Sequence, residues 1–176
     1  EIFGLTFSFP VQQTGVRKGK LVEWTKDWHV KDAIGQDVVG MLESALVDVG
    51  VNPSGNSDVS EKNVHIAALV GDCFALLSVH AYRDPRTVMG VIIGNGTGAS
   101  VFLDRNMTLV SWPNGVTGDV GVNSELGGFR HFPPEMITPF DTELDHEHAR
   151  PGFYMLEEMT SGKYMAELTG RILARL

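Results

Sequence analysis

The sequence has one cysteine, no cluster of basic residues and no long hydrophobic run among its 176 residues. One cysteine excludes an internal disulfide framework, and without a Cys-x-x-Cys pair or a Cys/His cluster there is no zinc site to predict. The apolar runs fall short of the ~20 residues that a membrane-spanning helix needs. A formal net charge of −8 disfavours nucleic acid and anionic membranes as partners. We therefore expect neither of these partners, no membrane segment in this chain and no metal-ligating residues of its own.

Length and composition indicate a globular protein. Hydrophobic residues make up 43 % of the chain, and the length suits one domain of ordinary size or two small lobes. Because the chain opens with Glu1 and closes inside an amphipathic segment at Leu176, we expect it to be an excerpt of a longer protein. Cys73 lies beside an apolar segment, which predicts a buried side chain rather than a reactive thiol.

The most informative stretch runs from Val64 to Cys73, where an apolar segment is followed at once by an acid. Residues 64–70 predict a strand buried on both faces, as in the parallel or mixed sheet of an α/β protein. Asp72 stands at the end of this strand, before a segment at 74–77 that suits a helix. Ligands of α/β folds gather at such strand ends, which favours a catalytic base, but aspartate is also a favoured helix N-cap. This stretch alone leaves both roles open.

Two further parts of the chain have clear local signals. Apolar residues recur every three or four positions from Val38 to Val49, and Gly50 follows, which predicts a helix with a glycine at its C-terminal end. Strand-like runs at 89–93 and 99–103 flank a glycine-rich turn at 94–98, which predicts a hairpin. The backbone N–H groups of that turn suit an anion, and a tight hairpin without a ligand is the alternative.

The ends of the chain carry weaker signals. β-Rich runs at 2–10 and 21–24 predict two more strands. Acids and histidines crowd residues 141–148; metal binding is one interpretation, but we favour a solvated helix face. Residues 153–176 predict one last helix, with its methionines in the core.

Two motifs near the N-terminus resemble a known family. Residues 4–10 read Gly-Leu-Thr-Phe-Ser-Phe-Pro, and after a gap residues 21–26 read Leu-Val-Glu-Trp-Thr-Lys. This pair is similar to the sugar-binding pattern of eukaryotic hexokinases, and the likeness continues in order and spacing to the end of the chain. It implies an α/β fold of the actin-like ATPase (ribonuclease H-like) class, with two lobes around a cleft. Residues 1–68 would end the small lobe, and residues 69–176 would begin the large lobe.

The resemblance also implies an activity and its residues. A hexokinase-like protein would phosphorylate the 6-hydroxyl of a hexose with ATP and Mg²⁺, in the cytoplasm, and Asp72 matches the catalytic base that takes the hydroxyl proton. The implied sugar-binding residues are Ser8, Thr25, Lys26, Gly71, Gly98, Glu125 and Glu157. The implied phosphate-binding residues are Asn95, Gly96 and Thr97.

The departures from the family pattern concern the sugar pocket. Gly71 and Gly98 stand where the family has sugar-holding asparagines, Tyr154 stands where it has a glutamine, and Asn95 replaces a phosphate-contacting threonine. We therefore expect weak glucose binding and a larger pocket, suited to a bulkier sugar such as an N-acetylhexosamine. The alternative is a non-catalytic hexokinase-like regulator or sugar sensor. Because the family's other nucleotide motifs are missing from this chain, we expect residues 1–176 alone to be inactive.

Overall fold

A computed structural model describes residues 1–25, 28–51, 64–107, 117–148 and 150–176. The chain divides into two compact units, Glu1–Ala75 and Leu76–Leu176. The lobe boundary expected after residue 68 stays a prediction, because this division reflects contacts within the chain and not the lobes of a longer protein. No helix within the described ranges is both long and apolar enough to cross a bilayer.

The first unit contains a parallel strand pair, a hairpin and a three-turn helix. Strand β1 (Ile2–Thr6) pairs in parallel with β4 (His65–Val70), which confirms the strand predicted at 64–70. Strands β2 (Val11–Gly15) and β3 (Lys18–Leu21) form an antiparallel hairpin, and helix α1 spans Val38–Asp48. Buried side chains of β3, α1, β4 and the segment before α1 meet in a core made of Leu21, Ala33, Val38, Val39, Ile66 and Leu69.

Helix α1 confirms its prediction at both ends. Asp37 precedes the helix, and its Oδ2 accepts a hydrogen bond from the Gly40 N–H at 2.9 Å, as a helix cap does. The other oxygen accepts from the Gly19 N–H of the hairpin at 2.8 Å. Past the last turn, Gly50 has a φ of 77°, a left-handed conformation in which glycine has no Cβ penalty. The cap at Asp37 therefore also ties the helix to the hairpin.

The strands near the N-terminus differ from their predictions: the run at 2–10 is a strand only in part, and the strand predicted at 21–24 is wrong beyond Leu21. Strand β1 covers only the first half of the run at 2–10, and β3 ends at Leu21, the first residue of the run at 21–24. The reason is aromatic packing: the rings of Phe9 and Trp24 meet edge to face, with centroids 4.6 Å apart. Phe9 and Trp24 therefore pack in a local aromatic cluster rather than in a strand.

The second unit combines an antiparallel sheet with short helices. Its sheet has the order β5-β6-β7, and helix α2 crosses the division between the two units. The predicted hairpin at 89–103 and a helix after Asp72 are both confirmed. The elements are α2 (Asp72–Arg83), β5 (Met89–Ile93), β6 (Thr97–Asp104), β7 (Asp119–Asn123), α3 (Pro139–Glu147), α4 (Met155–Thr160) and α5 (Gly162–Leu173). Cys73 is buried, as predicted.

The single helix predicted at 153–176 is wrong, because the chain breaks between α4 and α5. Ser161 is extended, with φ of −91° and ψ of 151°, and fully buried. The next residue, Gly162, donates its N–H to the Gly94 carbonyl of the glycine-rich turn at 2.7 Å. A contact from a distant part of the sequence thus replaces the helical bond that local periodicity favours. Met165 is 45 % exposed, so not all of the methionines lie in the core.

The solvated face predicted for 141–148 is also wrong for two of its acids. Asp141 and Asp145 are buried. Asp141 forms a capping box with Thr138 at the start of α3, and Asp145 Oδ1 accepts from the Gly152 N–H at 2.5 Å. Each carboxylate therefore satisfies backbone N–H groups, which is why it is buried. No cluster of three possible metal ligands occurs in the parts of the chain that the structure describes.

Candidate active site

Asp72 begins helix α2 directly after strand β4. Its Oδ1 accepts a hydrogen bond from the Cys73 N–H at 2.7 Å, and the Gly71 carbonyl accepts one from the Ala75 N–H at 2.8 Å. Gly71 therefore takes the capping position, and Asp72 lies in the first turn, where the helix dipole favours a carboxylate. The Asp72 side chain is half-buried. Its catalytic role stays a prediction.

Ser8 lies at the same edge of the β1–β4 sheet as Asp72. Thr6 of β1 and Val70 of β4 are register partners, and the Phe7 N–H donates to the Val70 carbonyl at 2.9 Å. Ser8 and Asp72 each lie two residues beyond that pair. Both residues therefore follow the carboxyl ends of neighbouring parallel strands, where ligands of α/β folds bind.

Thr25 lies in a segment held by aromatic side chains. It follows Trp24, which packs on Phe9, and its carbonyl accepts a hydrogen bond from the Trp28 N–H at 3.2 Å. The rings of the two tryptophans are stacked, with centroids 6.2 Å apart. Lys26, the next predicted sugar-binding residue, lies outside the described residues.

In the second unit, Glu157 of α4 is hydrogen-bonded to the end of the glycine-rich turn. Its Oε2 accepts from the Thr97 N–H at 2.8 Å. Gly127 packs against both residues: a Cβ there would clash with the Thr97 carbonyl and lie 3.2 Å from the Glu157 Cβ. Only glycine fits without displacing its neighbours. The structure thus brings a predicted sugar carboxylate into contact with the predicted phosphate turn.

Glu125 lies two residues before Gly127 in a strained backbone conformation. Its φ is 48°, a left-handed value that is uncommon for a residue other than glycine. The Glu125 Oε1 accepts a hydrogen bond from the Asn123 Nδ2 at 2.7 Å, which fixes the carboxylate at the end of strand β7. Strain of this kind persists where surrounding contacts hold it and is frequent at ligand sites.

The glycine-rich turn closes the β5–β6 hairpin. The Gly94 N–H donates to the Gly96 carbonyl at 2.9 Å, and Gly98 pairs with Ile92 across the two strands. Asn95 is exposed at the tip of the turn, whereas Gly96 and Gly98 are half-buried. The turn therefore forms a tight hairpin, as one of the two interpretations predicted. The other interpretation, an anion bound at its tip, stays a prediction.

Glu158 is a titratable residue that the sequence analysis missed. It is 1 % exposed, and burial, followed by the charges of Asp145, Glu157 and Asp141, raises its pKa to about 7. The His148 Nδ1 lies 3.7 Å from its Oε1. The sequence offers one signal for it, the pair of adjacent glutamates at 157 and 158. Adjacent residues on a helix point about 100° apart, so two neighbouring glutamates cannot both face the same part of the protein.

Two further polar residues that contact the predicted site were also missed. Asn123 donates to Glu125, and the Oγ1 of Thr160 lies 2.9 Å from the Oγ1 of Thr97. Each stands within three residues of a predicted carboxylate in the sequence. Both residues also lie in stretches that share the family's order and spacing, residues 122–129 and 138–176, but the resemblance assigns a role to neither.

Comparison with known proteins gives a consistent result over nearly the whole chain. Two hexokinase family models match, the first over residues 2–82 and the second over residues 88–176. Hexokinase-1 of Arabidopsis thaliana is 38 % identical over 177 residues, which cover 98 % of this chain and 33 % of the relative. A glucokinase of Aspergillus niger is 34 % identical over 180 residues, which cover 97 % of this chain and 34 % of that protein.

The structural comparison agrees with the sequence comparison. A hexokinase from Schistosoma mansoni, solved as a complex with glucose, superposes with a TM-score of 0.72 at 31 % identity, covering 99 % of this chain and 37 % of that one. The likeness confirms the predicted fold class, with the chain forming part of a hexokinase fold. The chain spans about a third of the length of the curated relatives that it matches.

Proposed function

Because the chain belongs to the hexokinase family, we propose that the full-length protein transfers the γ-phosphoryl group of ATP to the 6-hydroxyl of a hexose. The observation that carries this proposal is the position of Asp72 and Ser8, each two residues beyond one register pair of parallel strands. That arrangement supplies a carboxylate and a hydroxyl at the edge of the sheet where α/β folds bind ligands. The cytoplasm is the proposed site of action, as the resemblance implies.

Asp72 is the proposed general base. A carboxylate within hydrogen-bond reach of the sugar 6-hydroxyl takes its proton as the oxygen attacks the γ-phosphorus, and the bond to the leaving ADP oxygen breaks. The Cys73 N–H holds Oδ1 of Asp72 at 2.7 Å, which orients the carboxylate before substrate arrives. Since phosphoryl transfer depends mainly on positioning and electrostatics, this orientation is a direct contribution to the rate.

Two carboxylates are proposed to accept hydrogen bonds from the sugar hydroxyls. One oxygen of Glu125 is engaged by Asn123, and one oxygen of Glu157 is engaged by the Thr97 N–H. We assign the second oxygen of each carboxylate to the sugar. The remaining proposed sugar contacts are Ser8, Thr25 and Lys26. The proposal for Lys26 rests on the resemblance alone.

The tip of the β5–β6 hairpin is proposed to meet the ATP phosphates. The Thr97 N–H is used by Glu157 and the Gly94 N–H by Gly96. The donors that fit an anion are therefore the backbone N–H groups of Asn95 and Gly96 and the Asn95 side-chain amide. Mg²⁺ binds through substrate phosphates with few protein ligands, so the ion is proposed to accompany ATP.

The proposed substrate is a sugar bulkier than glucose, such as an N-acetylhexosamine. A Cβ added at Gly71 would meet no atom within 4 Å among the described residues, so the space beside Asp72 is open. The family pattern fills this position, and that of Gly98, with amides that would hold a sugar. A regulatory or sugar-sensing role is the second candidate, favoured by the replacement of a phosphate-contacting hydroxyl at Asn95.

The test is phosphotransfer by the full-length protein from Mg-ATP to a panel of hexoses and N-acetylhexosamines. We expect Asp72→Asn to lower kcat by about 10²–10⁴-fold, because general-base catalysis contributes that much, with a far smaller change in sugar affinity. Asp48→Asn, an exposed carboxylate of α1 in the same unit, is the matched control and should leave kcat unchanged. A kcat for Asp72→Asn within a few-fold of wild type would overturn the assignment. No turnover of any sugar would favour the regulatory role.

A further inference from the structure

Helix α4 is joined to the glycine-rich turn by hydrogen bonds between Thr97 and two of its residues, Glu157 and Thr160. The Thr97 N–H donates to Glu157 Oε2 at 2.8 Å, and the Thr97 Oγ1 lies 2.9 Å from the Thr160 Oγ1. Glu157 and Thr160 stand three residues apart, so they share one face of the helix. Thr97 therefore contacts α4 through both its backbone and its side chain.

The direction of the bond between the two hydroxyls follows from proton counting. A threonine hydroxyl carries one proton. The Thr160 hydroxyl donates that proton to the Leu156 carbonyl at 2.6 Å, an acceptor that has none to give. The Thr97 hydroxyl must therefore be the donor to Thr160, and while this bond holds it cannot donate to a phosphate.

The other end of the turn is held by the same part of the chain. The Gly162 N–H, at the start of α5, donates to the Gly94 carbonyl at 2.7 Å. A Cβ at Gly162 would lie 3.2 Å from that carbonyl oxygen, so the approach is close. The turn is thus bonded at both ends to residues 157–162, and Glu157 is one of those residues.

We infer that Thr160 is a positioning residue: by accepting the Thr97 hydroxyl proton, it fixes Thr97 against α4 and so orients the Glu157 carboxylate relative to the turn. The inference rests on the proposed function, in which Glu157 holds the sugar and the turn meets the phosphates. Loss of the Thr160 hydroxyl leaves a buried donor unpaired on Thr97, which is 8 % exposed. Thr97 must then shift to find another acceptor, and its bond to Glu157 shifts with it.

The experiment compares Thr160→Val with Thr160→Ser in the full-length protein. Valine keeps the shape and removes the hydroxyl, whereas serine keeps the hydroxyl. We expect Thr160→Val to raise KM for the sugar about 10-fold, because an unpaired buried donor has an effect of that size. Thr160→Ser should stay within about 3-fold of wild type, since it restores the acceptor. A variant that merely weakens the fold would lower thermal stability without this pattern in KM.

Thr169→Val is the matched control. The Thr169 hydroxyl donates to the Met165 carbonyl four residues earlier, as Thr160 does within α4, but it is exposed on α5. Its removal should leave KM and kcat unchanged. A KM for Thr160→Val equal to that of Thr169→Val, or a Thr160→Ser variant as impaired as Thr160→Val, would overturn the inference.

A double-mutant cycle with Thr97→Val tests the coupling itself. If the Thr97 hydroxyl acts through Thr160, the effects should not add, and the double variant should match the worse single variant. Additive effects would place the Thr97 hydroxyl on another partner and overturn the inference.

Sugar binding, measured apart from phosphotransfer, separates this inference from the proposed function. A wild-type protein that binds glucose or N-acetylglucosamine by calorimetry but transfers no phosphate would overturn the proposed function only. The affinities of the same variants for that sugar would then decide the role of Thr160. A wild-type protein that binds no sugar would overturn both.

Discussion

Replacing Glu158 by glutamine should stabilise the protein in alkaline solution much more than in acid. The Glu158 side chain is almost completely buried, and desolvation, followed by the charges of Asp145, Glu157 and Asp141, raises its pKa to about 7. In the unfolded chain, its pKa returns to the ordinary value of 4.5. The folded state therefore binds a proton more tightly than the unfolded state does.

The sign and the size of the effect follow from these two values. A carboxyl whose folded pKa is raised contributes its full stability below pH 4.5 and loses it as the pH rises to about 7. Each pKa unit corresponds to about 1.4 kcal/mol, so the loss between about pH 5.5 and about pH 8 is on the order of 2 kcal/mol. Glutamine does not titrate, and its amide suits a hydrogen bond to the Asp145 carboxylate.

Urea unfolding of the full-length protein, measured at about pH 5.5 and about pH 8, tests this reasoning. At each pH, the unfolding free energy of wild type is subtracted from that of Glu158→Gln. This difference should be larger at about pH 8 than at about pH 5.5, by about 2 kcal/mol. Glu135→Gln, which removes an exposed carboxylate of the same unit, serves as the control and should show a much smaller change with pH. An equal difference for Glu158→Gln at both pH values would refute a raised pKa at this position.

Three further predictions concern stability and selectivity. Asp37→Ala should lower the unfolding free energy by about 2 kcal/mol, since it removes both the α1 cap and the acceptor of the Gly19 N–H. Asp37→Asn should lower the unfolding free energy by less, and an equal decrease would contradict the two-acceptor role of Asp37. Gly127→Ala should cost about 1–3 kcal/mol and weaken sugar binding, because its Cβ would clash with the Thr97 carbonyl; a wild-type melting temperature would show that the clash relaxes freely. Gly71→Asn with Gly98→Asn should raise kcat/KM for glucose and lower it for N-acetylglucosamine, and an unchanged ratio would show that these glycines do not set specificity.

Local sequence patterns determined the elements that depend on nearest neighbours. The apolar spacing from Val38 to Val49, with Gly50 after it, predicted α1 with its C-terminal glycine. The apolar run at 64–70 predicted β4, and the glycine-rich turn predicted the hairpin of β5 and β6. Hydrogen bonds within α1 and the β5–β6 hairpin join residues a few positions apart or close a short turn, so a short window of sequence encodes them. Strand β4 pairs with β1 at the start of the chain, but its continuous apolar run is itself a local signal of a buried strand. The resemblance to hexokinases, carried by motifs in a fixed order, predicted the fold class.

Tertiary structure alone decided which polar residues are buried and where the last helix breaks. Asp145 and Glu158 resemble solvated residues in the sequence, yet each packs where backbone donors or other acids surround it. The break at Ser161 depends on a hydrogen bond between Gly162 and Gly94, and Thr97 meets Glu157 across 60 positions of sequence. A side chain's periodic position does not specify a partner that far away. The charge state of Glu158 and the contacts of Thr160 therefore follow from the packing of the folded chain, because only folding brings their partners within reach.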